Sequence, residues 1–417
     1  LGNYERFLGI QLTKDHNITS GKIFWEIIKN EREGKYLGKT VQTVPHVTDY
    51  IKEMIKKTSV IDVGKGNPEI CIIELGGTIG DIESLHFVES IRQLIFEESK
   101  DWCSIHVSLL IENYGEYKTK PTQNTIKDLR NLGITPDFIV ARSNNPGPKE
   151  HEINKLSLMC QVPKSNIIKA TDVSSIYKVP QYFSEQGFGE KVIKKLGLEP
   201  RKNIQDLKVI LPKENEVSIG IIGKYTRFAD AYLSVLRAVE HASIRYNRKA
   251  NIKWIESDSE NLYEQINNCS GVIIPGGFGH RGVEQMIQAA NFTYDNDIPT
   301  LGICLGFQVM SLTIARKKCN NINSEEFCKD SIHLFKKGNM KLGLHKPTRC
   351  DFIGETVYDY SPQRYRHRYH LTQDPKVLKY THVLDKKKFW VGVQFHPEFN
   401  STWEHPSEIF MEFIQKL

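Results

Sequence analysis

The stretch Gly302-Ile303-Cys304-Leu305-Gly306-Phe307-Gln308 places a cysteine between two glycines at a predicted change from strand to helix. The short apolar segment Asp297–Leu301 before it predicts a strand, and Val309–Arg316 after it predicts a helix. Glycines permit a sharp turn, and the N-terminus of the following helix favours the thiolate form of Cys304. The stretch therefore predicts a nucleophile elbow, although a buried, unreactive cysteine beside a glycine-rich turn is the alternative for this stretch alone.

Two further strand ends carry the groups that a nucleophilic cysteine needs. A predicted strand over Trp390–Phe395 ends in His396 and Glu398, where His396 would deprotonate the thiol and Glu398 would orient the imidazole. Another predicted strand ends in a glycine turn, where the backbone N–H of Gly276, together with that of Leu305, would stabilise an oxyanion. Each feature alone is compatible with a structural role, and their combination favours a thiol hydrolase.

The composition is typical of a globular protein with more than one domain, with 417 residues, 39% hydrophobic and 25% charged. The net charge of +6 is spread along the chain, which suits anionic small ligands better than nucleic acid. Neither a signal peptide nor an apolar run of 18 residues is present, so no membrane segment is expected. The eight cysteines form no C-x-x-C pair, so we expect no zinc site and a reducing, cytoplasmic setting.

Strands alternate with helices in both halves of the chain. This rhythm predicts an α/β fold made of two doubly wound parallel-sheet domains. Residues 199–216 are polar, contain two prolines and lack periodicity, as is typical of a linker. We therefore expect an N-terminal domain over 1–198 and a C-terminal domain over 217–417.

Helices are predicted for most of residues 1–60. An apolar stripe over Lys22–Asn30 follows Ser20, which is the predicted N-cap, and a second helix is predicted over Val47–Thr58. Gln42 and His46 lie between these helices, and from the residues alone they are most simply interpreted as polar surface.

The N-terminal half carries polar groups next to predicted strand ends. An apolar strand over Glu69–Leu75 holds Glu74 and leads into the turn Gly76–Ser84, which suits phosphate and Mg²⁺ but is also compatible with a plain tight turn. Lys118 and Lys120 lie two residues apart in a predicted extended loop before a helix. Both could face a polyphosphate there, or simply solvent.

The C-terminal half resembles the class I, or triad, glutamine amidotransferases. The resemblance rests on three motifs in this order: Pro275–Gly279, Gly302–Gln308 and Gln394–Glu398. It implies hydrolysis of glutamine through a thioester at Cys304, with release of ammonia. The glutamine-binding residues that the family match implies are Gly277, Gln308, Glu326 and Arg368. A free amino acid does need a carboxylate for its ammonium group and a guanidinium for its carboxylate.

The N-terminal half resembles the synthetase domain of the CTP synthase family, and with the second domain the resemblance covers nearly the whole chain. The motifs that carry it are Leu1–Phe7, Gly38–His46, Glu74–Ser84, Lys118–Gln123, Asp172–Tyr177 and Arg366–Tyr369. The resemblance implies an ATP-dependent ligase. ATP would phosphorylate O4 of UTP, and ammonia from the glutaminase site would displace that phosphate to give CTP.

For the synthetase half the resemblance implies Mg²⁺ as cofactor, ATP as co-substrate and GTP as allosteric activator. The implied metal ligand is Glu74. The implied UTP- and CTP-binding residues are Gln42, His46, Asp81, Ile82, Glu83, Lys118, Lys120, Gln123 and Arg142. The implied ATP-binding residues are Lys169, Asp172 and Val173. The implied partners are UTP, ATP, L-glutamine and GTP, within a homotetramer that can stack into filaments.

The chain departs from the family pattern at its beginning. The family's synthetase domain opens with a glycine-rich phosphate-binding loop and an Asp-rich segment that supplies a second metal ligand, and this sequence starts after both. A protein that lacks both segments is expected not to bind ATP productively, so a glutaminase-only fragment is the alternative function. If both were trimmed from a longer chain, the parent enzyme is expected to be intact. A chain that only assembles is a third hypothesis. Lys341 also stands where the family commonly has Arg near the GTP effector, which makes strong GTP activation less expected.

Overall fold

A computed structural model describes residues 2–98, 101–199, 215–224, 229–348, 351–354, 361–379 and 389–417. The chain divides into two compact units, and the first helix, α1 (Gly2–Leu8), belongs to the second of them. The first unit holds the described residues 10–199, and the second holds residues 2–9 with those from 215 onward. The predicted linker over 199–216 lies almost entirely outside the described residues.

The first unit contains a small parallel sheet with helices between its strands. Its helices are α2 (Ser20–Arg32), α3 (Thr48–Ser59), α4 (Leu85–Glu97), α5 (Lys120–Asn131), α6 (Glu150–Cys160), α7 (Val179–Ser184) and α8 (Phe188–Lys195). Its strands are β1 (Ile105–Leu109), β2 (Ile111–Asn113), β3 (Glu116–Lys118), β4 (Phe138–Ser143) and β5 (Ile167–Thr171). Strands β1, β4 and β5 pair in parallel in that order, and β2 pairs with β3 as an antiparallel hairpin.

A helical layer of the first unit is held together by aliphatic side chains. Ile23 and Ile27 of α2, Ile51 and Ile55 of α3 and Leu94 of α4 form one buried cluster. Residues four apart lie on one face of a helix, so each helix buries one stripe and leaves the other face to solvent.

The strand predicted over Glu69–Leu75 is wrong. The described structure has no strand there, and Ile70 and Ile72 are 50% and 70% exposed. A strand forms only where a neighbouring strand satisfies its backbone groups, and no described strand pairs with this segment. Apolar composition alone therefore led to an incorrect assignment.

Two local predictions in the first unit need correction. The N-cap of α2 is Thr19, whose side-chain oxygen accepts from the Lys22 N–H at 3.4 Å, and Ser20 is the first helical residue. Thr and Ser are both good capping residues, so the type was right and the position was wrong by one. The extended loop predicted for Lys118 and Lys120 is also wrong, since Lys118 ends β3 and Lys120 begins α5.

The second unit is built on a larger sheet. Its further strands are β6 (Glu216–Gly223), β7 (Lys249–Glu256), β8 (Gly271–Ile274), β9 (Thr300–Ile303), β10 (Ile322–Ser324), β11 (Ile332–His345), β12 (Phe352–Ile353), β13 (Gln363–Leu371) and β14 (Trp390–Val393). Its further helices are α9 (Leu233–Arg245), α10 (Leu262–Asn267), α11 (Val283–Asp295), α12 (Leu305–Lys318), α13 (Pro375–Leu378) and α14 (Glu408–Gln415). The predicted strand before the elbow starts late, at Thr300, because Asp297 lies in a turn with φ of 57°.

The main sheet has the strand order β12-β14-β9-β8-β6-β7, in which β12 pairs antiparallel to β14 and the other pairs are parallel. Every residue of β8, β9 and β14 is buried, as expected for parallel strands covered on both faces. Strands β10, β11 and β13 form a separate sheet. These parallel sheets confirm the predicted α/β fold class.

Helix α1 packs against strand β13 and helix α9 within the second unit. Glu5 forms an ion pair with Arg364 of β13, and Arg6 donates from Nη1 to Ser234 Oγ at 3.3 Å. Glu5 and Arg6 are both buried, so the helix is anchored by charged groups rather than by an apolar stripe. Within the described residues, no helix combines the length and apolar character that crossing a membrane requires.

Candidate active site

Cys304 lies on the sharp turn that connects β9 to α12. Its backbone has φ 54° and ψ −97°, a conformation that residues with a side chain rarely adopt. The Cys304 N–H donates to the carbonyl of Val393 at 2.8 Å, which ties the turn to strand β14. The predicted nucleophile elbow is present in this geometry, and the side chain is 3% exposed.

Three glycines around the elbow are required by close approach of other atoms. A Cβ at Gly302 would overlap Met310 Sδ, and a Cβ at Gly306 would overlap the carbonyl oxygen of Ile274. A Cβ at Gly276 would lie 3.0 Å from His396 Cε1 and 3.5 Å from the Cβ of the cysteine. Gly302 lets α12 pack onto β9, Gly306 lets α12 pack onto β8, and Gly276 leaves room beside His396 and Cys304.

His396 and Glu398 form the buried pair predicted for the base and its orienting group. His396 Nδ1 lies 2.8 Å from Glu398 Oε1, while His396 Nε2 has no hydrogen-bond partner among the described residues. Burial lowers the pKa of His396, but the carboxylate of Glu398 and the thiolate form of Cys304 together raise that pKa well above its usual value. The geometry therefore favours the protonated form of the His396 imidazole.

Besides the imidazole, two polar groups of the described residues lie near the sulfur of Cys304. The carbonyl oxygen of Arg366 lies 3.8 Å from Sγ, and Gln394 Nε2 lies 3.7 Å from it. Arg366 belongs to β13, which is also tied to the base, since the His396 N–H donates to the carbonyl of Arg364 at 2.8 Å. Strand β13 thus borders the reactive centre through its backbone.

Sheet register explains why these groups meet. Strands β14 and β9 pair in parallel with Val393 opposite Ile303, so positions 394 and 304 are the next residues at the same edge. Strands β8 and β9 pair with Ile274 opposite Gly302, which brings the glycine turn to that edge as well. The carboxyl ends of parallel strands form the ligand-binding edge of an α/β sheet.

The residues implied for glutamine binding lie on elements around the elbow. A Cβ at Gly277 would lie 3.1 Å from Leu305 Cδ2, so the glycine turn reaches the first residue of α12. Gln308 is one helical turn beyond Cys304, and its buried Oε1 has no hydrogen-bond partner among the described residues. Arg368 is exposed on β13, two positions after the residue whose carbonyl faces the sulfur.

Glu326 is joined to the same glycine turn. Its Oε1 accepts from the Gly279 N–H at 3.1 Å. Burial raises the pKa of Glu326, although that hydrogen bond and the charge of Lys224 oppose the rise. The carboxylate is therefore positioned beside the turn and has an oxygen available for a cationic ligand group.

Three neighbours of the site were missed at the sequence level. Lys224 follows β6 and donates from Nζ to the carbonyls of Phe278 and Gly279. Burial, with the nearby Arg281, lowers the pKa of Lys224 to about 8, while Glu326 opposes this. The other two are Arg366 and Gln394. Gln394 had a usable signal, because it lies two residues before His396 and alternate residues at a strand end share a face.

Of the residues implied for ATP, Lys169 lies in the middle of strand β5, and Asp172 and Val173 follow the carboxyl end of that strand in the first unit. Lys169 of β5 pairs in register with Ala141 of β4, and its backbone N–H and carbonyl bond to the Gln186 amide at 2.9 Å each. Asp172 follows β5, and its backbone N–H donates to the backbone carbonyl of Ser143 at 3.0 Å. Val173 comes next. Arg142, implied for UTP, is exposed on β4.

The other residues implied for UTP lie on separate segments of the first unit. The Gln42 N–H donates to His46 Nδ1 at 3.0 Å in the turn before α3. Gln123 Nε2 donates to Thr119 Oγ1 at 3.0 Å at the start of α5, next to the exposed Lys118 and Lys120. The exposed turn before α4 carries Asp81, Ile82 and Glu83.

The implied metal ligand, Glu74, is exposed and lies in the segment without regular structure. Among the residues that the structure describes, no three His, Cys, Asp or Glu side chains form a group that could hold a metal ion. Mg²⁺ takes several oxygen ligands, so the described residues around Glu74 do not form a complete magnesium site.

Comparisons with known proteins match both halves of the chain. The family model described as CTP synthase N-terminus matches residues 1–198, and the model described as glutamine amidotransferase class-I matches residues 227–416. A CTP synthase from Carboxydothermus hydrogenoformans is 40% identical, over 99% of this chain and 85% of that protein. CTP synthase 1 of Homo sapiens is 38% identical, over 98% of this chain and 79% of that protein.

Among solved structures, a glutaminase domain of Trypanosoma brucei CTPS with bound acivicin is similar to this chain. It is 29% identical with a TM-score of 0.42, over 48% of this chain and 93% of that domain.

Proposed function

The chain belongs to the CTP synthase family, and we propose that Cys304, His396 and Glu398 catalyse its glutaminase reaction. The reaction that it shares with its relatives is ATP-dependent amination of UTP to CTP, with ammonia from glutamine. The synthetase model matches residues 1–198, so a glutaminase-only fragment is not favoured. The single observation that supports the catalytic assignment is the buried imidazole–carboxylate contact of 2.8 Å next to a cysteine on a strained elbow.

Acylation follows from the charges in the site. The Cys304 thiolate attacks the side-chain carboxamide carbon of glutamine, and the carbonyl electrons move onto oxygen. The backbone N–H groups of Gly276 and Leu305 are proposed to hold that oxyanion, because preorganised donors stabilise developing charge without reorganisation. His396 is protonated and then gives its proton from Nε2 to the departing amide nitrogen, which leaves as ammonia.

Deacylation reverses the role of the imidazole. His396, now neutral, removes a proton from water, whose oxygen attacks the thioester carbonyl of the Cys304 acyl-enzyme. The C–S bond breaks, the electron pair returns to sulfur, and glutamate leaves. Glu398 holds the imidazole in one orientation through both steps and stabilises its charged form.

Glutamine binding is proposed to use the groups around the elbow. Glu326 would bind the α-ammonium group and Arg368 the α-carboxylate, since charge-assisted hydrogen bonds are the strong ones. Gln308 would bond the substrate with its buried side-chain oxygen, and Gly277 would let the substrate approach the backbone. The support is that Gly277, Gln308 and Glu326 each contact or adjoin the elbow or its glycine turn.

The synthetase assignments rest on the family resemblance. UTP and CTP are proposed to bind Gln42, His46, Asp81, Ile82, Glu83, Lys118, Lys120, Gln123 and Arg142. ATP is proposed to bind Lys169, Asp172 and Val173, which lie where α/β sheets bind ligands. We propose on the same ground that Mg²⁺ binds with Glu74 as one ligand and that GTP is an activator. A homotetramer and a cytoplasmic location are proposed likewise. The metal takes no part in acylation or deacylation at Cys304.

Domain limits are proposed at 1–198 for the synthetase, 199–216 for the linker and 217–417 for the amidotransferase. The family models over 1–198 and 227–416 support these limits.

Replacing the nucleophile tests the proposal. Cys304→Ala should lower glutamine-dependent CTP formation by at least about a thousandfold, because the covalent step is lost. Synthesis from added ammonia should stay within about twofold of the unmodified chain, and release of glutamate from glutamine is measured in parallel. Cys319→Ala is the matched control, with a half-buried cysteine at the far end of α12. Glutamine hydrolysis that survives in Cys304→Ala contradicts the assignment.

A further inference from the structure

Gln394 buries a primary amide directly beside the reactive sulfur. The side chain is 2% exposed, and its Nε2 lies 3.7 Å from Cys304 Sγ. Its Oε1 is buried and has no hydrogen-bond partner among the described residues. Burying an amide is costly, and an apolar residue of similar size would avoid that cost. The contact with sulfur is therefore the interaction that a glutamine at this position offers.

The backbone on both sides holds this amide in place. The Gln394 N–H donates to the carbonyl of Asp351 at 2.9 Å, and the carbonyl of Val393 accepts from the Cys304 N–H at 2.8 Å. The register of β14 and β9, with Val393 opposite Ile303, makes Gln394 and Cys304 neighbours. The backbone that carries the amide is therefore fixed beside Cys304, and burial of the side chain limits its remaining freedom.

The other groups near the sulfur show why a hydrogen-bond donor such as the Gln394 amide would matter there. The carbonyl oxygen of Arg366 lies 3.8 Å from the sulfur and can accept a hydrogen bond from the S–H group, an interaction that only the neutral thiol can make. The guanidinium of Arg366 instead lies over the Phe278 ring, 5.4 Å from its centre. Gly276 of the glycine turn has no side chain to place near the sulfur, and α12 begins next to Cys304 with its N-terminal end. Among the described residues, the charged groups that interact around the sulfur are the His396 imidazolium and, behind it, Glu398.

We propose that Gln394 donates a hydrogen bond from Nε2–H to Cys304 Sγ and stabilises the thiolate. This inference rests on the proposed role of Cys304 as nucleophile. The bond acts twice in the reaction. It stabilises the attacking thiolate, and it stabilises the same thiolate when water attacks the thioester, the C–S bond breaks and the electron pair returns to sulfur.

The test replaces the amide by a side chain of similar length without a donor. In Gln394→Met, alkylation of Cys304 by iodoacetamide should be about tenfold slower at neutral pH, with the midpoint of its pH profile about one unit higher. The Cys304 peptide is followed by mass spectrometry, since other cysteines also react. The glutaminase kcat should fall by a similar factor while KM changes little. Gln265→Met is the matched control, because Gln265 of α10 is a half-buried amide that donates from Nε2 to Ser259 Oγ.

A second variant keeps the test decisive if methionine disturbs folding. Gln394→Glu keeps the shape of the side chain and places a carboxylate beside the sulfur, so alkylation should slow more than in Gln394→Met. Melting temperatures of all variants report on folding. Alkylation that is unchanged or faster in the folded variants overturns the proposal, and faster alkylation would mean that the amide presents Oε1 to the thiol. Cys304→Ala separates the two hypotheses, since residual glutaminase there contradicts the nucleophile itself.

Discussion

The two units differ in how their candidate residues are brought together. In the second unit, β8, β9 and β14 are buried throughout, and their carboxyl ends place the proposed nucleophile, base and oxyanion turn at one edge. In the first unit, β1 is an edge strand whose Ile105, Val107 and Leu109 are 41%, 59% and 57% exposed. The candidate residues there lie on separate turns and strand ends.

The difference shows where the pairing register of strands alone determines which side chains meet at a site. Parallel pairing of β14 with β9 fixes the neighbours of Cys304 to within one residue, so a sequence motif translates directly into a contact. In the first unit, side chains such as Asp81 and Lys118 are carried by turns and a hairpin, whose positions depend on what packs against them. The catalytic assignment in the second unit therefore has geometric support that the nucleotide assignments lack.

The largest effect is expected where the elbow packs most tightly. Gly306→Ala would place a methyl group on the carbonyl oxygen of Ile274, so α12 and β8 would have to separate. We expect a loss of about 3 kcal/mol in the free energy of unfolding and loss of glutaminase activity, as is found when a tight core is overpacked. Chemical denaturation of the purified chain measures the first, and glutamate release measures the second.

A glycine-to-alanine substitution in the first unit serves as the control. Gly189 lies in α8, and no described atom comes within 4 Å of a Cβ built there. Gly189→Ala should stabilise the chain by about 0.5 kcal/mol, because alanine loses less backbone entropy in a helix. Equal destabilisation by both substitutions would show that the elbow is no more demanding than an ordinary helix.

The next largest effect is expected at the orienting carboxylate. Glu398→Gln keeps the shape of the side chain but removes the charge that opposes the burial of His396. The pKa of His396 should fall, the thiolate should lose its imidazolium partner, and kcat for glutamine hydrolysis should drop by about a thousandfold. Steady-state kinetics at saturating glutamine check this, and a loss below about tenfold would contradict the role of Glu398.

The pH dependence of stability gives an independent control on this variant. The folded-state pKa of His396 is raised above its unfolded value of about 6.5. The associated stabilisation is therefore fully present below about pH 6.5 and is lost as the pH rises through the folded-state value. Glu398→Gln should reduce that decline in urea unfolding experiments above about pH 6.5, and an identical decline in both chains would argue against a raised pKa.

Much of the second unit could be predicted from the sequence because its signals are local. Glycines at 302 and 306 are required by contacts with Met310 and Ile274, and they flank the turn between β9 and α12 in the sequence. The contact of Gln394 with Cys304 was not predicted, because it arises from pairing of strands that are far apart in sequence. The carbonyl of Arg366 beside the sulfur carries no side-chain signal at all.

The first unit shows why apolar runs are less informative. The run over Glu69–Leu75 resembles a strand as strongly as β4 does, but only β4 finds neighbours on both sides, in β1 and β5. Pairing is a property of the whole sheet and cannot be deduced from a segment alone. The predictions of Ser20 as N-cap and of Lys120 as a loop residue are smaller errors. Both lie at element ends, where neighbouring residues compete for the same role.

The smallest effect is expected on the exposed face of β1. Val107→Thr exchanges a methyl group for a hydroxyl on a side chain that is 59% exposed, so the free energy of unfolding should change by less than about 0.5 kcal/mol. Val272→Thr, on the fully buried strand β8, should cost about 1–3 kcal/mol because its hydroxyl would lose water. Denaturation of the two variants in parallel measures the difference. A loss at Val107 as large as that at Val272 would contradict the exposure of this face of β1 and, with it, the contrast between the two sheets.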